Sequence, residues 1–149
     1  HIYQNYMIEK FFHYYTLNPN NAYSFYVHPL LDFGIGQGAD GFAINTNNLS
    51  GIGKFYDSVV KKNKEIFLYD DLWYSFFLRY IKKNKILSLQ QQLKIDSFGR
   101  RELIYKQHTS IDGLISMYGS NLKEAVKKRD EIALQSLKYM KEKIRELNF

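Results

Sequence analysis

Glu65-Ile-Phe-Leu-Tyr-Asp-Asp-Leu-Trp-Tyr-Ser-Phe-Phe-Leu-Arg-Tyr-Ile-Lys-Lys83 is the stretch on which the fold turns. Its first five residues are a brief apolar and aromatic run, the pattern of a strand. Asp70 comes next as a good N-cap, because its side chain can accept the free amide hydrogens of the next turn. A helix is expected from Asp71 to about Lys83. Leu72, Phe76, Leu78 and Tyr80 mark it, and Arg79, Lys82 and Lys83 lie near its C-terminal end, where the helix dipole favours cations. Asn84 is a plausible stop. A strand that runs straight into a helix is the repeating unit of an α/β layer.

The flanks repeat that alternation. Upstream, Ala22 to Val27 and Phe42 to about Asn45 read as short strands, and Leu49 to Lys61 reads as a helix, with Leu49, Ile52, Phe55, Tyr56 and Val59 three and four residues apart. Gly51 and Gly53 weaken its first turn. A first helix is expected over residues 2 to 16, ended by Asn18-Pro19-Asn20-Asn21. Phe33-Gly-Ile-Gly-Gln-Gly-Ala-Asp-Gly41 is the one glycine cluster and reads as a loop feeding a strand. Downstream, residues 86 to 89 read as the last strand and Gln90 to Tyr105 as loop. In the last thirty residues Leu122, Val126, Ala133, Leu137, Met140, Ile144 and Leu147 recur every three to four positions. They predict a long amphipathic helix over residues 120 to 147, capped by Ser120. The expected fold is therefore α/β, a short mixed sheet flanked by helices. Residues 1–119 form the α/β part and residues 120–149 a helix packed on it.

Composition narrows the chemistry. The 149 residues are 45% hydrophobic and include no cysteine, so disulfides, thiolate metal sites and cysteine nucleophiles are excluded. A chain of this length can bury roughly two-thirds of its unfolded surface and needs no staple. With 21 basic and 15 acidic side chains the net charge is +6, compatible with an anionic partner. Most of the basic residues are lysines set among Asn, Ile, Tyr and Phe, the bias of A/T-rich codons, which competes with function as an explanation. No apolar window is long enough for a membrane span, and no signal peptide is recognisable, so a cytoplasmic location is expected. The chain starts at His1 instead of methionine, which fits a piece of a longer protein.

Several local patterns carry candidate chemistry. Gly36-x-Gly38-x-x-Gly41 matches a dinucleotide-binding fingerprint in spelling. The residues directly after it, Phe42-Ala43-Ile44, are strand-like, whereas the phosphate requires a helix N-terminus. A tight loop facing a substrate is the better reading of Gly38, Ala39, Asp40 and Gly41, where glycine lets a backbone approach a ligand closely. Asp70 and Asp71 open a helix after a strand, a place suited to a general base or a metal ligand, and one where acidic residues are also favoured for helix stability alone. Trp73 and Tyr74 offer flat apolar faces for a sugar, and core packing explains them equally well. His108 lies in a polar segment, and His1, His13 and His28 show no metal-ligand spacing with it. Lys61, Lys62 and Lys64, with Arg79, Lys82, Lys83 and Lys85, resemble a nucleic-acid patch or simply solvated helix ends.

In chain order, Gly38-Ala-Asp-Gly41, an apolar strand, a helix, Tyr69-Asp-Asp-Leu-Trp-Tyr-Ser75 leading into Leu78-Arg79, and a later His108 resemble the C-terminal half of GT-A-fold glycosyltransferases. The Asp-Asp-Leu-Trp-x-Ser form is especially similar to members from large DNA viruses and related microbes. The resemblance spans about Gly34 to Gly113. It implies transfer of a sugar from a nucleotide-diphosphate sugar to a hydroxyl on a protein or glycan acceptor. Asp71 would be the catalytic base, and Asp70 would cap the helix and orient acceptor or metal. It also implies Mn²⁺ or Mg²⁺ on the diphosphate, with His108 as a ligand and Lys106 neutralising the departing diphosphate. The family's Asp-x-Asp metal motif lies upstream, and no Asp-x-Asp occurs in this chain. The missing N-terminal half, or a second copy of the chain, is then the expected protein partner, and no metal is expected on this portion alone. The rival expectation is a non-catalytic basic α/β module that binds nucleic acid or an acidic protein through those seven basic residues.

Overall fold

A computed structural model of the chain describes residues 9–10, 12–14, 16–24, 26–30, 33–36, 42–89, 119 and 121–149. Within the expected first helix the described residues are helical as far as Leu17. The turn at Pro19 ends it, with the Asn18 N–H donating to the Tyr14 carbonyl at 3.2 Å.

Three short strands form a mixed sheet. β1 (Ala22–Ser24) is central, antiparallel to β4 (Phe42–Ala43) and parallel to β5 (Ile86–Ser88). All three lie where the sequence predicts strands, each shorter than expected. Between β1 and β4 comes a hairpin the glycines had concealed: β2 (Val27–Leu30) pairs antiparallel with β3 (Phe33–Gly36). Phe33–Gly36, expected as loop, is therefore strand, and the rest of the glycine cluster, residues 37–41, lies outside the described residues. The glycines of β3 permit close packing. A Cβ at Gly34 would lie 2.7 Å from Val27 Cγ1, and one at Gly36 would overlap the Phe42 ring and meet Ile86 Cγ2 at 3.1 Å.

The largest correction concerns residues 65–69, which are not a strand. Asn63 is extended, and its side-chain oxygen accepts from the amides of Glu65 (3.1 Å) and Ile66 (3.2 Å). This cap starts a short helix, Lys64–Phe67. Only Ile66 of the apolar run is buried, whereas Phe67 and Leu68 are about half exposed. A local hydrogen-bonded cap has outweighed β propensity.

The other helices differ from expectation only at their ends. α1 (Ile52–Phe55) starts after Gly51, whose φ of +86° is natural only for glycine, and continues as a wider π-helical turn over Tyr56–Val60. Leu49, the expected first residue, instead ends a separate 3₁₀ turn, Thr46–Leu49, capped by Asn45. The helix at Lys64–Phe67 is α2. α3 (Asp70–Phe76) also widens into a π turn, Phe77–Ile81. Lys83 adopts φ +59°, and the Asn84 N–H reaches back to the Leu78 carbonyl at 2.9 Å, closing the helix near where the sequence predicts. α4 (Leu122–Glu146) is capped by Asn121, whose side chain accepts from Glu124 N. Ser120, the cap expected from sequence, lies outside the described residues. At the far end Asn148 turns left-handed and the Phe149 N–H bonds to the Ile144 carbonyl at 3.0 Å. This is the 6→1 bond of a Schellman cap, and it folds Phe149 back onto Phe55.

One core joins these parts. Leu72, Phe76, Phe77 and Leu78 of α3 and its π turn are fully buried at its centre. Around them pack Phe55, Val59 and Val60 from α1 and its π turn, Ile66 from α2, Ala22, Ile35 and Ile86 from the strands, and Ala133, Leu137 and Met140 from α4. Among the described residues no helix is long and apolar enough to cross a membrane.

Ser75 ties α3 to the hairpin. Its buried hydroxyl accepts the Gly36 N–H at 2.9 Å, satisfying a backbone donor at the end of β3. Ser75→Ala should lower stability by about 1–3 kcal/mol, the range for stranding a buried donor. Urea denaturation would measure it, and an unchanged midpoint would mean that the bond contributes nothing.

Candidate functional site

The N-terminal end of α3 is the candidate site. No side chain caps it from outside, because Tyr69 occupies the N-cap position without a side-chain bond. Asp70 is instead the first helical residue, and its Oδ1 accepts the Asp71 N–H at 2.9 Å. The expected cap is thus displaced by one residue and still engages a free amide of the first turn. Asp70 is exposed and Asp71 half-buried. Spacing on α3 sets Asp70 beside Trp73 and Tyr74, three and four positions on, and Asp71 beside Tyr74. The two carboxylates and the two aromatic rings therefore occupy neighbouring faces of one helix end.

Both rings are half-buried and belong to a longer series. Tyr74 meets Phe42 edge-on (centroids 5.6 Å apart) and Trp73 at 5.7 Å. Trp73 meets Tyr56 at 5.9 Å, and Tyr56 meets Phe67 at 6.5 Å. Both pack against the core, the first of the two expectations for them. Burial raises the Tyr74 hydroxyl above its ordinary range, which keeps it a neutral hydrogen-bond donor at physiological pH.

Gly38, Ala39, Asp40, Gly41, Lys106 and His108 lie outside the described residues. Strand β4 directly after Gly41 leaves the glycine pattern without the helix that a dinucleotide fingerprint needs. Among the described residues no group of three or more His, Asp or Glu side chains could hold a metal ion. Asp70 and Asp71 alone are too few oxygen donors for a hard cation. The lysines of the rival reading separate into two sets. Lys61 and Lys62 follow the π turn after α1 and Lys64 opens α2, whereas Lys82, Lys83 and Lys85 come after the π turn that ends α3.

The structure also forms a polar cluster that sequence spacing could not show. His28 of β2 meets Arg129 and Asp130 of α4, 101 residues away. Arg129 donates to His28 Nε2 at 3.0 Å, and its Nε and Nη2 donate to Asp130 Oδ1 at 3.0 and 2.7 Å. Asp130 Oδ1 lies 3.5 Å from His28 Nε2. Arginine can only donate, so Nε2 accepts and the imidazole carries its proton on Nδ1. The neighbour across the hairpin is Ile35, which is apolar. Burial, followed by the Arg129 charge, pushes the His28 pKa below 6.5, with Asp130 partly opposing. Because the folded value is depressed, this group's contribution to stability is complete above about pH 6.5 and is lost as pH falls through the folded value. The thermal midpoint of the wild type should therefore fall between pH 7 and pH 5.5, and His28→Gln should flatten that slope. Parallel curves for the two proteins would remove His28 as the cause.

No family model, no curated protein and no solved structure matches the chain.

Proposed function

We propose that the chain is the acceptor-side portion of a nucleotide-diphosphate-sugar glycosyltransferase, with the GT-A-like arrangement that its motif order resembles. One observation carries this reading. At the start of α3 the Oδ1 of exposed Asp70 accepts the Asp71 N–H, and half-buried Asp71 lies about one helical turn before Tyr74. A base for hydroxyl attack needs such a setting, with a carboxylate at a rim and an apolar surface to hold the sugar. Asp71 takes the acceptor proton as the hydroxyl attacks the sugar carbon, and the nucleoside diphosphate leaves. Gly38 to Gly41 approach the sugar, and Lys106 and His108 serve the diphosphate side. Mn²⁺ or Mg²⁺ belongs to that side too. The described residues do not fit a complete metal site, so no step is derived through one.

The intact protein should release nucleoside diphosphate from at least one nucleotide sugar when a hydroxyl acceptor is present, and depend on Mn²⁺ or Mg²⁺. A full panel of nucleotide sugars without binding or release would overturn the reading. Binding to nucleic acid that weakens steeply with salt would favour the basic module instead.

A further inference from the structure

We infer that His28, Arg129 and Asp130 form an acid-released clasp that holds the start of α4 on strand β2. Protonation of the imidazole opens it. The device is independent of the transferase reading.

The clasp is built for one protonation state. Arg129 Nη2 donates to His28 Nε2 at 3.0 Å, and only a neutral ring offers a lone pair there. The same Nη2 and the Arg129 Nε donate to Asp130 Oδ1 at 2.7 and 3.0 Å. A proton on Nε2 turns the acceptor into a donor that faces an arginine N–H, and the cluster passes from neutral to net positive. Asp130 Oδ1, 3.5 Å from Nε2, is already engaged by Arg129, so an imidazolium gains this partner only by taking it from the guanidinium. Water screens the conflict weakly, because the His28 and Arg129 side chains are only 16% and 15% exposed. The strands packed against β2, namely β3 (Phe33–Gly36) and β5 (Ile86–Ser88), carry no ionisable side chain. Among the described residues, Arg129 and Asp130 are the charged groups that act on the ring.

What yields is the helix, not the strand. β2 is paired along its length with β3, Leu30 is buried, and Ile35, opposite His28, belongs to the core. α4 is anchored unevenly. Its core side chains Ala133, Leu137 and Met140, with partly buried Ile144, all follow Asp130. Ahead of Asp130 the helix fully buries Ala125 alone, outside that core, while Lys123, Glu124, Lys127 and Lys128 are exposed. A stretch with few buried apolar contacts opens at lower cost than the core does. Loss of the clasp therefore releases Leu122 to Asp130 and leaves the rest of α4 in place.

Native-state hydrogen exchange on the intact chain tests this at pH 7.5, 6.5 and 5.5 in low urea, with rates corrected for the intrinsic effect of pH. Amides of residues 126–130 should exchange through an opening that urea barely promotes, the mark of a local event. Below about pH 6.5 their protection should fall, by at most about tenfold per pH unit for a single proton. Amides of Leu137 and Met140, in the same helix, should exchange through an opening that urea strongly promotes, because it exposes the core. His28→Gln keeps an acceptor for Arg129 and does not titrate, so its residues 126–130 should be equally protected at pH 7.5 and 5.5. Arg129→Gln removes the opposing cation and leaves Asp130 for the imidazolium, so its acid response should be smaller than in the wild type. The inference falls if residues 126–130 share the urea dependence of Leu137 and Met140, or if their protection is the same at pH 7.5 and 5.5. It falls equally if His28→Gln or Arg129→Gln responds to acid as the wild type does.

Discussion

Asp71→Asn is expected to lower turnover of the nucleotide sugar by about 10²- to 10⁴-fold, the range contributed by a positioned general base. Asparagine keeps the size of the side chain, and the backbone N–H of residue 71 still reaches Asp70 Oδ1, so the first turn of α3 should keep its geometry. The kinetic signature matters as much as the size. A group that acts only as the hydroxyl attacks should lower kcat and kcat/KM together and leave KM for the donor nearly unchanged. Asp70→Asn offers the contrast. Its amide oxygen can still accept the Asp71 N–H, so its effect on turnover should be much smaller. Near-normal turnover in Asp71→Asn would place the base elsewhere, and equal losses in both variants would mean that the pair acts together.

The sequence could disclose whatever depended on neighbours in the chain. The period of Leu72, Phe76 and Tyr80 marks α3, and that of Ala133, Leu137 and Met140 marks α4, because each buries one continuous face. The strands at Ala22, Phe42 and Ile86 are legible for a similar reason, as apolar segments bounded by turns. Residues 65–69 misled because Phe67 and Leu68 remain exposed, so their apolar character signals no burial. Asn63, which decides the local conformation, precedes the run and gives a signal that a capping argument could have used. The hairpin β2–β3 escaped because Gly34 and Gly36 read as loop residues, whereas their lack of Cβ answers the approach of Val27 and Phe42 from other strands. His28 with Arg129 and Asp130 had no sequence signal at all. The carboxylate pair at the start of α3 was legible; its row of rings was not, since Tyr56 and Phe67 join it only through tertiary packing.

Phe55→Ala should give the largest loss of stability, about 3–5 kcal/mol, the range for emptying a buried aromatic site. Phe55 is fully buried and stacks on Phe76 with centroids 5.9 Å apart and planes 17° from parallel. It also meets Phe77 at 5.6 Å and Phe149 at 5.9 Å. The residue after Phe55 and the residue after Phe76 each begin a π turn, so the stacked pair sits at both points where the helices widen. Such insertions are rare, and here they coincide with the stacked Phe55–Phe76 pair between α1 and α3. Removing the Phe55 ring leaves Phe76, Phe77 and Phe149 facing a void bounded by two helices and the returning C-terminal turn. All three are themselves held by other contacts, among them Tyr80 stacked on Phe76 at 4.6 Å and the Schellman turn behind Phe149, so collapse into the void is restricted. A loss of this size is a large share of the roughly 5–15 kcal/mol typical of a domain. It should lower the thermal midpoint by on the order of 10 °C. Exposed Phe67 provides the control, since Phe67→Ala should stay within about 0.5 kcal/mol of wild type. If urea denaturation gave the two substitutions similar losses, Phe55 could not be the residue that locks α1 against α3.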